Sequence, residues 1–221
     1  MNGFETVSAN GREIRRYLAT PDAGAGPGVL LVHPWWGLND VVVAAADRLA
    51  DAGLVVAAPD LYHGTVVTTS EDADERASAL WTAGTGVADT AAAFERLADH
   101  PQLDGGLGVM GFSMGVTYAL SVPLARPDAV DAAVLYYGTA GGDFGDTDMA
   151  VLGHFAEHDP FEPPSQIDAF EAELATGAGS VTFHTYPGTG HWFAESDRPE
   201  YDEAAAELAW SRTLALLRSA C

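Results

Sequence analysis

Apolar residues fall along this chain in short runs with little alternation, separated by stretches of helical length. Residues 29–32, 54–58, 132–137 and 150–156 are almost wholly apolar, as a strand buried on both faces requires. Residues 107–110 form a further such run, and 181–186 a strand that is less uniformly apolar. At the start, residues 4–18 alternate partly around Asn10-Gly11, the signal of a tight hairpin turn. Between the strands, Asn39 or Asp40 can cap a helix that runs to about Ala52 and stops at Gly53. Helices are also expected over 75–83 and 87–99, broken apart at Gly84 and Gly86, and over 116–124, 165–175 and 200–217. Residues 138–148 read as a Gly/Asp loop. Buried strands alternating with helices predict one α/β domain over residues 1–221. Its mostly parallel sheet is covered on both faces and carries an antiparallel hairpin at its N-terminal edge.

In such sheets chemistry gathers at the carboxyl ends of the strands. The run 107–110 leads into Gly111-Phe112-Ser113-Met114-Gly115, a Gly-x-Ser-x-Gly between a strand and a helix. That order fits a nucleophile elbow, whose small residues let a strained turn push the serine hydroxyl above the sheet. Asp159 follows the 150–156 strand, and His191 lies five residues beyond Tyr186. Serine, aspartate and histidine in this order are the triad order of the α/β-hydrolase fold. A serine hydroxyl needs an imidazole to take its proton, and a carboxylate orients that imidazole and stabilises its cation. The backbone N–H of Met114 and that of Trp35, after the 29–32 strand, are the candidate oxyanion donors, since Pro34 has none. Trp36 and Trp192 are candidate pocket walls. His154-Phe155-Ala156-Glu157-His158 matches an inverted zinc-protease pattern. That pattern needs one helix face, however, and on a strand residues four apart lie about 13 Å apart; no metal site is expected.

Five blocks together resemble the dienelactone hydrolase family: His33-Pro34-Trp35-Trp36-Gly37-Leu38-Asn39-Asp40, Ala58-Pro59-Asp60-Leu61-Tyr62, Gly111-Phe112-Ser113-Met114-Gly115, His158-Asp159-Pro160-Phe161 and Gly190-His191-Trp192-Phe193. The resemblance implies a lidless α/β-hydrolase that opens small esters or lactones without a cofactor, with its triad on Ser113, Asp159 and His191. Three departures stand out. Family members characteristically carry cysteine where this chain has Ser113. Pro34 replaces the glutamate that helps control that thiol. Glu195 stands where an arginine would hold a substrate carboxylate, and there it would repel an anionic substrate; Arg76 is the only arginine in the helical insert that could substitute. A ligand-binding or regulatory protein on the same fold, or thioesterase or peptidase activity from the same triad, are the alternatives.

Charge narrows the partners. Thirty-two acids face ten arginines and no lysine, for a net charge of −22, which repels nucleic acid and anionic membranes alike. No apolar run approaches 18 residues and no basic-then-apolar leader opens the chain, so a cytoplasmic location is expected, as a monomer or small homo-oligomer. The single cysteine, Cys221, permits no disulfide within the chain. Self-repulsion of this size destabilises a compact state until salt screens it, pointing to a salt-rich, halophilic host with an acidic proteome. The melting temperature should therefore rise between dilute buffer and molar KCl; a fall or no change in a thermal scan would reject that adaptation.

Overall fold

The computed structural model describes residues 2–22 and 24–221. Eight strands form one sheet in the order β1-β2-β4-β3-β5-β6-β7-β8. The expected hairpin is β1 (Gly3–Ala9) and β2 (Arg12–Ala19), antiparallel, with Asn10 and Gly11 both at positive φ in its turn. β2 joins β4 (Val55–Pro59) antiparallel, and all later neighbours run parallel: β3 (Gly26–Val32), β5 (Leu103–Phe112), β6 (Ala132–Tyr136), β7 (Ala150–His158) and β8 (Ser180–Gly190).

The continuous apolar runs are explained by cover on both faces. In β3, Val29 and Leu31 pack towards α1 (Asp40–Asp51) and α6 (Glu203–Ala220), while Leu30 and Val32 pack towards α3 (Thr85–Ala98) and α4 (Met114–Ala125). All four side chains are fully buried. On the second face, α5 (Pro164–Leu174) packs beside β8 through Phe170 against Phe183. The hairpin is pinned by its arginines: Arg12 pairs with buried Asp89 of α3 at 2.6 Å, and Arg15 with buried Asp60 after β4.

Several boundaries differ from the sequence expectation. α2 runs Ser70–Ala83, a full turn earlier than residue 75, because the Thr69 hydroxyl caps it by accepting the Asp72 N–H. Its first turns are exposed and polar, so no periodicity marks them. Gly84, at φ 63°, separates α2 from α3, but Gly86 breaks nothing: it lies inside α3, and a Cβ there would stand 2.4 Å from the Tyr118 ring. α6 starts at Glu203 rather than residue 200, capped by Asp202, and ends at Ala220. β7 and β8 extend to His158 and Gly190, so His191 follows its strand directly rather than after a five-residue loop.

β3 leads through α1 to β4 on one side, and β5 returns to β3's other side. The direction of winding therefore reverses between β3 and β5, and their carboxyl ends open a crevice there. The two strands lie so close that Gly115, in the first turn of α4, touches β3. A Cβ on Gly115 would stand 2.4 Å from the Val32 carbonyl oxygen and 2.6 Å from that of His33. Gly115→Ala should cost about 2 kcal/mol or more in urea unfolding, whereas Gly3→Ala, which meets nothing within 4 Å, should change little; equal effects would refute the close approach.

Candidate active site

Ser113 sits between β5 and α4 at φ 49°, ψ −121°, a conformation that L-residues rarely adopt. Its N–H donates to the Tyr136 carbonyl at 2.8 Å, tying the turn to the end of β6. A Cβ on Gly111 would meet the Gly115 carbonyl carbon at 2.6 Å, and one on Gly138 the Ser113 carbonyl oxygen at 2.5 Å. The turn is thus possible because three surrounding positions carry no side chain.

The structure brings the three candidate residues into one hydrogen-bonded row. Ser113 Oγ lies 2.9 Å from His191 Nε2, and His191 Nδ1 lies 2.7 Å from Asp159 Oδ2. Asp159 Oδ1 accepts the backbone N–H groups of Phe161 and Glu162, at 2.9 and 3.1 Å. A carboxylate accepting on both oxygens requires the proton on His191 Nδ1, which leaves Nε2 free to accept from the serine hydroxyl. The imidazole is buried and ringed by aromatic side chains, with the Tyr137, Phe161 and Trp192 centroids 4.9, 4.9 and 5.0 Å away.

Of the candidate oxyanion donors, Met114 opens α4, so its N–H has no acceptor within the helix. Trp35 lies in the turn after β3, and His33 holds that turn. The Leu61 N–H donates to His33 Nε2 at 3.2 Å, so Nδ1 carries the ring proton and donates to the Pro34 carbonyl at 2.7 Å. Burial lowers the His33 pKa and keeps this ring neutral.

Above the row lies a cleft of about 400 Å³, lined by Ser113, Met114, His191, Trp35, Phe161 and Trp192, with Asp74, Ala77, Thr117, Thr139 and Glu162. Trp192 is on its wall. Trp36 is not: it is buried one layer behind, between Trp35 and Trp192 at 5.4 Å from each, with the Arg198 guanidinium 4.2 Å over its ring. Adjacent residues in a turn face opposite ways, so a Trp-Trp pair does not reveal which one faces the cleft. Glu162 is held by the Thr139 N–H and hydroxyl at 3.1 and 2.8 Å and by Gln166 Nε2 at 2.9 Å. Burial raises its pKa, opposed by the Thr139 donors. Phe161, Glu162 and Thr139 follow strand ends in the sequence, but only the register of β6 and β7 places them together.

Glu195 also departs from its expected place. It is 1% exposed, points away from the cleft, and accepts the Tyr137 hydroxyl on Oε1 at 2.9 Å behind the His191 ring. Desolvation pushes its pKa up to about 8, so at neutral pH it carries little charge and repels nothing in the cleft. Arg76 is exposed on α2 and is not on the cleft wall. The inverted zinc-protease pair lies along β7. His154 is fully buried, its Nδ1 and Nε2 engaged by Tyr186 at 2.8 Å and Thr213 at 3.0 Å, and burial lowers its pKa to about 3. No cluster of three or more metal-ligating side chains occurs among the described residues. Among them, no helix is long and apolar enough to cross a membrane.

Comparison with known proteins gives a consistent family. The family model described as "Dienelactone hydrolase family" matches residues 14–221. Protein usf of Aquifex pyrophilus is 29% identical over 95% of this chain and 94% of its own. A carboxymethylenebutenolidase of Pseudomonas sp. strain P51 is also 29% identical, over 98% and 94%. Among solved structures, a dienelactone hydrolase-like promiscuous phosphotriesterase from metagenomic libraries superposes with a TM-score of 0.83 at 21% identity, covering 100% of this chain and 98% of that one. The dienelactone hydrolase of Anabaena variabilis gives 0.73 at 19%, with coverage of 100% and 98%. These structural likenesses establish the α/β-hydrolase fold.

The buried Glu195 has a pH signature of its own. Unfolded, it ionises near 4.5, whereas folded it holds its proton to about pH 8. Between those values the unfolded state binds fewer protons, so this group's contribution to stability is intact below about 4.5 and is lost as pH rises towards 8. Glu195→Gln removes that dependence. The variant's melting temperature, relative to the wild type, should climb from pH 5 to pH 8; a flat or falling difference would show that Glu195 is ionised in the folded chain.

Proposed function

This chain belongs to the dienelactone hydrolase family, and on that premise we propose that it hydrolyses small carboxylic esters or lactones through an acyl-enzyme on Ser113. The observation that carries the reading is the unbroken row from Ser113 Oγ through the His191 ring to Asp159. The carboxymethylenebutenolidase relatives favour lactones or esters as the substrate class. The fold accommodates either, since both present an acyl carbon with an alkoxide leaving group.

Ser113 Oγ attacks the carbonyl carbon as its proton passes to His191 Nε2. The imidazolium so formed stays paired with Asp159, which is shielded from water and held by two backbone N–H groups. The tetrahedral oxyanion rests on the N–H groups of Met114 and Trp35, donors fixed before the reaction begins. Collapse breaks the bond to the alkoxide, which takes the proton from His191; in a lactone the new alcohol stays attached to the acyl group. Water then enters, gives a proton to His191, attacks the acyl carbon and releases the acid, and the proton returns to Ser113 Oγ. No step calls for a cofactor. The serine in place of the family's usual cysteine is consistent with a proline, Pro34, in place of the family's glutamate. A hydroxyl paired with an imidazole stays protonated until attack, so no neighbouring carboxylate is needed to restrain a thiolate.

A fluorophosphonate should add once to the wild-type protein, as read by intact mass, and not at all to Ser113→Ala. The same substitution should lower kcat by about 10³-fold or more on any ester that the wild type cleaves. A folded wild type that takes no label, or a Ser113→Ala variant that keeps its activity, would remove Ser113 from the scheme.

A further inference from the structure

The walls of the cleft carry more than the hydrolytic row uses. Three aromatic rings, Trp35, Phe161 and Trp192, form one side, with the Phe161 centroid 6.4 Å from that of Trp35 and 5.5 Å from that of Trp192. Phe161 is half exposed, an unusual state for so large an apolar ring in a chain that buries most of its aromatics. Two acidic residues line the same space from different elements, Asp74 from α2 and Glu162 from the segment after β7, the latter with its carboxyl oxygens held by Thr139 and Gln166.

No arginine lines this cleft among the described residues, and the chain has no lysine. Arg76 projects to solvent. Arg198 lies behind Trp36, bound to Asp197 at 2.9 Å, and cannot reach the cleft without leaving both. A negatively charged substrate would thus enter a space with two acids and no cation to pair with. A positive group would meet aromatic rings, whose quadrupole attracts cations, in a cleft that two acidic residues also line. The stacking of Arg198 on Trp36, one layer back, is that same interaction within the fold.

The position of the rings tells which half of the substrate they meet. The leaving oxygen takes its proton from His191 Nε2, so the alcohol portion lies on the imidazole's side. Phe161 and Trp192 both pack on that imidazole. We propose, on the hydrolase reading above, that this cleft is built for esters whose alcohol portion carries a positive charge, such as an amino or quaternary ammonium alcohol, and that it discriminates against anionic esters.

Three acetate esters of similar size separate the possibilities: acetylcholine, its uncharged isostere 3,3-dimethylbutyl acetate, and 2-sulfoethyl acetate. Measuring in molar KCl screens the long-range field of the −22 chain, so that local contacts decide. The expected order of kcat/KM is cationic, neutral, anionic, with the cationic ester about tenfold ahead of its isostere. Phe161→Leu and the pair Asp74→Asn with Glu162→Gln should each reduce the cationic-to-neutral ratio severalfold, with fluorophosphonate labelling of Ser113 confirming an intact site in each variant. A neutral ester cleaved as fast as the cationic one by a protein whose Ser113 takes the label would overturn this inference and leave the hydrolase reading standing. Absence of both turnover and label in folded wild type would overturn both together.

Discussion

The backbone at Ser113 is the constraint around which the site is built. Its φ of 49° and ψ of −121° are sterically costly and persist only where the surroundings over-determine them. Here β3, β5 and β6 converge on the turn: Gly111 and Gly115 clear the space where α4 meets the end of β3, Gly138 clears the Ser113 carbonyl, and the Tyr136 carbonyl holds the Ser113 N–H. The β3–β5 pairing that makes this approach close, with Val32 opposite Gly111, is also where the sheet reverses its winding. Strain and crevice therefore share one cause, and a side chain at Gly111, Gly115 or Gly138 would disturb both.

The histidine side of the row is fixed by a second, indirect route. Tyr137, itself at positive φ, follows the residue whose carbonyl binds Ser113, and its hydroxyl donates to Glu195, four residues beyond His191. The chain from Ser113 through β6, Tyr137 and Glu195 to His191 is thus closed on one side by backbone and side-chain bonds, and on the other by the Ser113–His191 bond. The Glu195 N–H donates to the Trp192 carbonyl, which keeps this short segment folded back on itself. A protonated Glu195 accepts from Tyr137 without placing a charge beneath the imidazole, which a buried carboxylate in the same place would do.

How far the sequence could be read depended on how local the deciding physics was. The buried strands were legible because both faces are covered, so every side chain in residues 29–32 is apolar. Asn10-Gly11 and Gly53 announced their turns because positive φ selects those residues. The start of α2 was hidden because its first turn rests on one hydroxyl cap and faces water. Gly86 misled for a different reason: it is a glycine of close approach to Tyr118, not of chain reversal, and the two have the same letter. Ser113, Asp159 and His191 could be singled out because each follows a strand. The burial of Glu195 and of Trp36 could not be foreseen, since both depend on how the segment after β8 folds over the β3 turn.

The same distinction bears on the charge. Arginines are few, and most have a place in the fold: Arg12 and Arg15 neutralise the buried Asp89 and Asp60, Arg16 pairs with Glu5, Arg48 with Glu207, Arg96 with Asp99 and Arg198 with Asp197. Exposed pairs such as Arg48–Glu207 add little stability by themselves. The pairs to Asp60 and Asp89 matter more, because removing either arginine would leave a carboxylate buried and unpaired. Asp60 in turn accepts the Tyr62 and Gly64 N–H groups, so it shapes the loop whose Leu61 N–H holds His33 and, through it, the Trp35 turn. Arg15, through Asp60, and Arg198, over the Trp36 ring, thus support the walls of the site from behind, and no arginine is on the cleft wall among the described residues, which leaves it to aromatic rings and acidic and small side chains.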